Sequence, residues 1–233
     1  MQDITDGVAR FQRDVFPAKK ELFAHLATHH TPDTLFISCS DARVVPELIT
    51  GTQPGDLFVV RTAGNLVPAH TPGADGIAAS IEYAVAALNV RDIIVCGHSA
   101  CGAMTALAEG HDLTGAPAVA SWLRHADSSL ARTAADGDVP ALVRENVLAQ
   151  LANLATHPSV ARALNEHKVA LHGWVYDIPT GRIDDLTSPD HATSDRTGSN
   201  LTATDRTASS LTPSDRPASD LTATDRTSAA IAA

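Results

Sequence analysis

Apolar positions along the chain follow two alternating periods. Short, nearly unbroken apolar runs occur at Thr34–Cys39 (TLFISC), Leu57–Val60 (LFVV), Asp92–Cys96 (DIIVC) and Val169–Asp177 (VALHGWVYD). Their length and β-branched content predict buried strands. Between them, apolar residues recur every three or four positions. Ile77, Ile81, Val85 and Leu88 mark a helix over Gly76–Leu88. Met1–His30 reads as two helices, the second opened by Pro17 and striped by Leu22, Phe23 and Leu26. Further helical segments are predicted at Val44–Thr50, Gly102–Ala108, Ala118–His125 and Val139–Thr156, and from Pro158 onward. Pro179-Thr180-Gly181 predicts a turn into a short edge strand at Arg182–Leu186.

Buried strands alternating with helices predict an α/β fold. Its centre is a mostly parallel sheet of about four to five strands flanked by helices. Ligands of such sheets bind beyond the carboxyl ends of the strands. Cys39 ends the first strand and Gly97 follows the third, so their loops share one rim if these strands are neighbours.

This pattern covers residues 1–187. Residues 188–233 carry a ten-residue repeat, SDRTGSNLTA, TDRTASSLTP, SDRPASDLTA and TDRTSAAIAA. One apolar side chain per repeat cannot offset the entropy of ordering, so a disordered tail is expected.

Composition narrows the function classes. The 233 residues are 44% hydrophobic, enough for a packed core, but only 4% aromatic, so Val, Ile, Leu and Ala must fill it. A formal net charge of −10 argues against nucleic acid and anionic membranes as partners. There is no basic start followed by an apolar stretch, and no apolar run near the ~20 residues of a membrane span. A cytoplasmic protein is expected. Cys39, Cys96 and Cys101 are odd in number and bracketed by apolar runs, unlike a secreted disulfide framework.

The stretch VCGHSACGAM, Val95–Met104, carries the candidate chemistry. Gly97-His98-Ser99-Ala100-Cys101 approaches the G-x-S-x-G turn of serine hydrolases, with Ser99 as nucleophile and His157, His172 and Asp138 as candidate partners. Cys101 stands where that turn needs a small residue, and the chain shows no HGG-type oxyanion loop. The second reading is metal binding. His98 and Cys101 flank a strand-to-helix turn, while Cys39 and Asp41 are two apart on the other rim loop and point the same way. Two thiolates, an imidazole and a carboxylate suit tetrahedral zinc. Cys96, within an apolar run, reads as a small core residue.

ISCSDAR (Ile37–Arg43) and GHSACGAM (Gly97–Met104) together resemble the β-class carbonic anhydrases. The likeness extends through VVPELITGTQPGDLFVVRTAGNLV, IEYAVAALNVRDIIVCGHSACGAMTAL, RENVLAQLANLATHPSV and LHGWVYD, spanning about Phe23 to Leu186. It is strongest toward the bacterial cyanate-operon-type branch. The resemblance implies zinc held by Cys39, His98 and Cys101, with the fourth position alternating between Asp41 and water. It implies reversible hydration of carbon dioxide to bicarbonate and a proton by zinc-activated hydroxide. Two thiolates cancel the charge of the zinc ion, so a bound Asp41 opposes the reaction. Arg43 can draw Asp41 off in a bidentate pair. The resemblance also implies a small substrate pocket between subunits, lined by His30, Phe58, Tyr83 and the backbone of Gly102. A homodimer or larger assembly is therefore expected, with the N-terminal helices packing on a partner subunit.

Two positions depart from the family. His30 replaces a common Gln. Phe36 stands where bicarbonate-inhibited members carry Trp, although Arg61 and Tyr176 match the other two bicarbonate contacts. Two alternatives remain open from sequence: a non-catalytic zinc or bicarbonate sensor, and a hydrolase of a carbon-dioxide-like molecule such as carbon disulfide or carbonyl sulfide.

Overall fold

A five-stranded sheet runs through the computed structural model in the order β2-β1-β3-β4-β5. The structure describes residues 1–73, 75–133 and 137–189; the repeat, from residue 190 onward, lies outside them. The strands are β1 (Thr34–Cys39), β2 (Leu57–Thr62), β3 (Asp92–His98), β4 (Ala170–Asp177) and β5 (Arg182–Asp185). The first four are parallel, and β5 returns antiparallel along β4 after the turn at Thr180-Gly181. This is the α/β arrangement that the alternating periods predict. β2 and β3 each run two residues past the expected ends, because pairing with β1 and β4 continues to Thr62 and His98.

Alternation along the central strands divides the core between two faces. Leu35, Ile37, Ile93 and Val95 pack with Ile81, Val147, Leu154 and Val160 from the helices. Those helices are α4 (Gly76–Glu82), α8 (Val139–Leu154) and α9 (Pro158–Asn165). Phe36, Ile94 and Cys96 turn to the opposite face, against Trp174 and Tyr176. Cys96 is thus the core residue its apolar run suggests.

Helix α8 lies unusually close to β3 and β4. A Cβ on Gly97 would meet Val147 Cγ2 at 2.8 Å, and one on Gly173 would meet Leu151 Cδ1 at 2.9 Å. Asp138 starts this helix: its carboxylate accepts the Ala141 N–H at 2.9 Å, an ordinary helix cap.

The remaining helices are short: α3 (Pro46–Thr50), α5 (Gly102–Ala108), α6 (Pro117–Leu123) and α7 (Asp127–Leu130). At the N-terminus, α1 (Gln2–Arg10) continues through a wide turn, Phe11–Val15, and a tight turn, Phe16–Lys19, into α2 (Lys20–Leu26). Pro17 occupies the first positions of the tight turn, so the break falls where proline permits it. Ile4, Val8, Phe11 and Val15, spaced along one helical face, are exposed in the single chain.

The close approach at Gly97 makes a sharp prediction. Gly97→Ala should destabilise the fold by roughly 1–3 kcal/mol through overpacking against Val147. Urea denaturation checks this, and an unchanged midpoint would contradict the packing described.

Candidate metal centre

β1 and β3 are paired neighbours, so their carboxyl ends meet at one rim. Cys39 is the last residue of β1 and His98 the last of β3. Cys101 caps the start of α5. Ala100 takes φ +53° between them, a left-handed kink that turns the chain back within three residues. One ligand atom from each of Cys39, His98 and Cys101 lies within 4.8 Å of the other two, and all three residues are buried.

The protonation pattern of the group suits a metal. His98 Nδ1 lies 2.9 Å from the Ser99 carbonyl. A carbonyl only accepts, so Nδ1 carries the proton and Nε2 keeps a lone pair. That Nε2 is buried and lacks a hydrogen-bond partner, a costly arrangement unless something binds it. Fixing one ring nitrogen to orient the other is how histidine ligands are usually held. The nearby Cys101 thiol favours the ionised form of Cys39 and lowers its pKa against the opposing effect of burial. The same pairing, with burial and the Cys39 charge, pushes the Cys101 thiol far up. Without a cation, ionisation of one sulfur thus opposes ionisation of the other. A divalent ion bound there would relieve that opposition and allow both sulfurs to ionise. Cys96 stands apart, with burial pushing its thiol up to about 12.

The Asp41 carboxylate is taken by Arg43. Arg43 Nε donates to Oδ1 at 2.9 Å and Nη2 to Oδ2 at 2.7 Å. The Arg43 backbone N–H adds a third bond at 2.9 Å. Nη2 also reaches the Ala100 carbonyl at 3.0 Å, which ties the two rim loops together. Asp41 Oδ2 remains 3.9 Å from His98 Nε2. The Arg43 bonds hold the Asp41 carboxyl well below the usual carboxylate range. The lowered value means that this pair supports the fold at neutral pH, and that its contribution is lost progressively as pH falls from the ordinary carboxylate range toward that lowered value.

Residues 34–183 match the family model described as carbonic anhydrase. The chain belongs to the β-carbonic anhydrase family. It is 57% identical over 192 residues to a carbonic anhydrase of Pseudomonas aeruginosa, covering 80% of this chain and 87% of the relative. It is 58% identical over 189 residues to carbonic anhydrase 1 of Escherichia coli, covering 78% and 86%. Among solved structures, the β-carbonic anhydrase CcaA superposes with a TM-score of 0.77 at 38% identity, covering 82% of this chain and 97% of that one. A tetrameric β-carbonic anhydrase of Sordaria macrospora gives a TM-score of 0.61 at 33% identity, covering 80% and 93%.

The other β-carbonic anhydrase positions separate into two places. Gly102 opens α5 beside Cys101. His30, Phe58 and Tyr83 instead form an aromatic row, with ring centroids 6.3 and 5.9 Å apart. Phe58 lies four residues before Thr62, the partner of Cys39, which is roughly 13 Å along the strand. Within one chain the row therefore does not line the metal centre. Phe36 is fully buried against Trp174. Arg61 spends Nε on the Cys39 carbonyl at 3.0 Å and Nη2 on the carbonyls of Asp41 and Val44 at 2.6 and 2.8 Å. Ser99 makes no nucleophile–base pair with the candidate histidines. Its hydroxyl accepts the Ile178 N–H, His157 meets the Pro68 carbonyl, and His172 pairs with Asp92 at the far end of β3.

Sequence reasoning passes over the supports of the centre. Asn146 donates to the Gly64 carbonyl at 2.9 Å and accepts from Gln150 at 2.9 Å. Gln150 accepts the Val67 N–H, and Asn153 donates to the Val67 carbonyl, both at 2.9 Å. Trp122 Nε1 donates to the Ala63 carbonyl at 2.9 Å. The available signal was the spacing of Asn146, Gln150 and Asn153 along one face of an otherwise apolar helix.

The thiol pairing can be tested on metal-free protein. An ultraviolet titration of the acidic and neutral range should show one thiolate forming well below the ordinary thiol range. That signal should vanish in Cys39→Ser; its persistence there would reassign the anion.

Proposed function

We propose that Cys39, His98 and Cys101 hold zinc in this chain, and that the reversible hydration of carbon dioxide to bicarbonate and a proton takes place at that centre. The observation that carries this reading is the buried, unpartnered His98 Nε2 facing two buried sulfurs. Zinc bound there supplies an acidified water as nucleophile near neutral pH. The chain's own residues govern access to it. Asp41 and Arg43 form the catalytic pair. With its carboxylate clamped by Arg43, Asp41 would stay off the metal and accept a hydrogen bond from the nucleophile, orienting it toward carbon dioxide. Released from the clamp, Asp41 could itself serve as a metal ligand and exclude the nucleophile.

The pH dependence follows from charge. Asp41 stays ionised throughout the neutral range, so a rising rate reports loss of a proton from the nucleophile rather than from this carboxylate. Two thiolates neutralise the ion, which favours a rise above neutrality.

The assembly we infer is a homodimer or a larger homo-oligomer. Ile4, Val8, Phe11 and Val15 offer an apolar face for a second copy. The row of His30, Phe58 and Tyr83 then serves the neighbouring subunit's centre, a division that explains its distance from its own. Among the described residues no helix is long and apolar enough to cross a membrane, and we place the enzyme in the cytoplasm. The likeness to the cyanate-operon-type branch supports a role as a bicarbonate supplier, which neighbouring genes test.

Stopped-flow hydration by zinc-loaded protein should rise between roughly pH 7 and pH 9. Arg43→Ala should lower kcat by about 10- to 100-fold by leaving Asp41 at the fourth position. Unaltered kinetics in this variant would remove Arg43 from the mechanism, and no hydration by the parent at any pH would favour the sensor or the altered substrate. For the assembly, Ile4→Asp with Val8→Asp should shift sedimentation toward the monomer and reduce activity together. A fully active monomer would disprove the shared pocket.

A further inference from the structure

The parallel ladder between β3 and β4 ends in an exchange of hydrogen-bond partners. Its last regular bond runs from the Ser99 N–H to the Tyr176 carbonyl at 2.9 Å. In a parallel pair the following bond would return from the Ile178 N–H to the Ser99 carbonyl. Here the Ile178 N–H donates instead to the Ser99 hydroxyl oxygen, at 2.9 Å. The Ser99 carbonyl accepts from His98 Nδ1, also at 2.9 Å. The strand pairing accordingly stops at His98 and Tyr176, and Ala100 turns the chain away from the sheet at φ +53°.

One side chain therefore supplies an acceptor that the backbone would otherwise have to supply. An amide N–H at the end of a sheet needs a partner, and the Ser99 carbonyl is the one the ladder offers to Ile178. Drawn toward β4, that carbonyl would leave the His98 ring. The hydroxyl removes the competition.

We propose that Ser99 is a positioning residue of the metal centre: its hydroxyl takes the Ile178 N–H in place of its carbonyl, and so frees that carbonyl to hold the His98 ring. This rests on the zinc reading above. The consequence lies at the other ring nitrogen. With Nδ1 protonated and held, the imidazole can neither flip nor move its proton, and the buried, unpartnered Nε2 keeps its lone pair for a metal. Bonds of this kind, one step removed from the ion, fix the orientation of histidine ligands, and losing one costs about 10- to 100-fold in metal affinity. Ser99, which the G-x-S-x-G spacing marks as a candidate nucleophile, thus acts through its neighbour and attacks nothing. Any β-hydroxyl meets the need. Ser99 lines an open cleft with Thr105, Val143 and Val175, which has room for the extra methyl of threonine.

The test compares Ser99→Ala with Ser99→Thr in the full chain. Zinc affinity is read by competition with a chromophoric chelator, and NMR follows the Ile178 amide and His98 Nδ1 protons in metal-free protein. Ser99→Ala should weaken zinc binding by about 10-fold, speed exchange of the Ile178 amide and lose the His98 Nδ1 proton to solvent. Ser99→Thr should restore the parent's behaviour in each measurement. A hydroxyl with a merely structural role would lower the denaturation midpoint of Ser99→Ala and leave zinc affinity and the His98 proton unmoved; that result would overturn the proposal, as would a threonine variant that behaves like alanine. If Ser99→Ala does not fold, the parent decides: slow exchange of both protons upholds the proposal, and rapid exchange of either overturns it. A parent that binds no zinc would overturn the zinc reading beneath it, whatever the two protons show.

Discussion

Two thiols and an imidazole, buried within 4.8 Å of one another, set the terms for the rest of the molecule. Burial disfavours charge, and two thiolates at this separation repel strongly. Pairing with Cys101 lowers the Cys39 pKa while that of Cys101 rises, so the two thiols oppose each other's ionisation. A divalent cation would resolve the conflict, because it would let both sulfurs ionise and would also engage the lone pair on His98 Nε2. The need to bring three such groups together explains why β1 and β3 are adjacent, why β3 ends in a histidine, and why α5 begins with a cysteine.

Stabilising that arrangement falls largely to α8. This helix packs its apolar side chains on the sheet, close enough that Gly97 and Gly173 cannot carry a Cβ without displacing Val147 and Leu151. From the same helix, Asn146, Gln150 and Asn153 reach the backbone of the loop between Gly64 and Val67. Each such buried bond adds about 1 kcal/mol net, while an orphaned partner costs about 1–3 kcal/mol. The polar row therefore favours one loop conformation over its alternatives more than it adds stability.

The sequence was legible where one residue type has few physical uses. Unbroken apolar runs gave the strands, and the paired spacings Cys39-x-Asp41 and His98-x-x-Cys101 singled out the residues that the structure gathers at one rim. Spacing was silent about backbone partners. Nothing in the residue types reveals that Arg61 spends two of its nitrogens on three carbonyls, or that Trp122 binds the carbonyl of Ala63. The extension of β3 to His98 was also missed, because strand ends depend on pairing with β4 rather than on local hydropathy. The expected disordered tail lies outside the described residues.

The placement of His30, Phe58 and Tyr83 shows why family patterns must be read in three dimensions. These residues belong to one motif set with Cys39 and His98, yet Phe58 enters β2 at the end opposite the rim. A strand is stiff, and no side-chain rotation spans roughly 13 Å. The aromatic row and the candidate metal centre of one chain are therefore separate places. Tyr83 in the row is exposed, as is the apolar stripe of α1 on the same chain. In the proposed assembly a second copy would supply its own row to this chain's centre and its own stripe to this chain's α1, since it carries both by construction. The proposed dependence of turnover on assembly would then follow from where β2 begins.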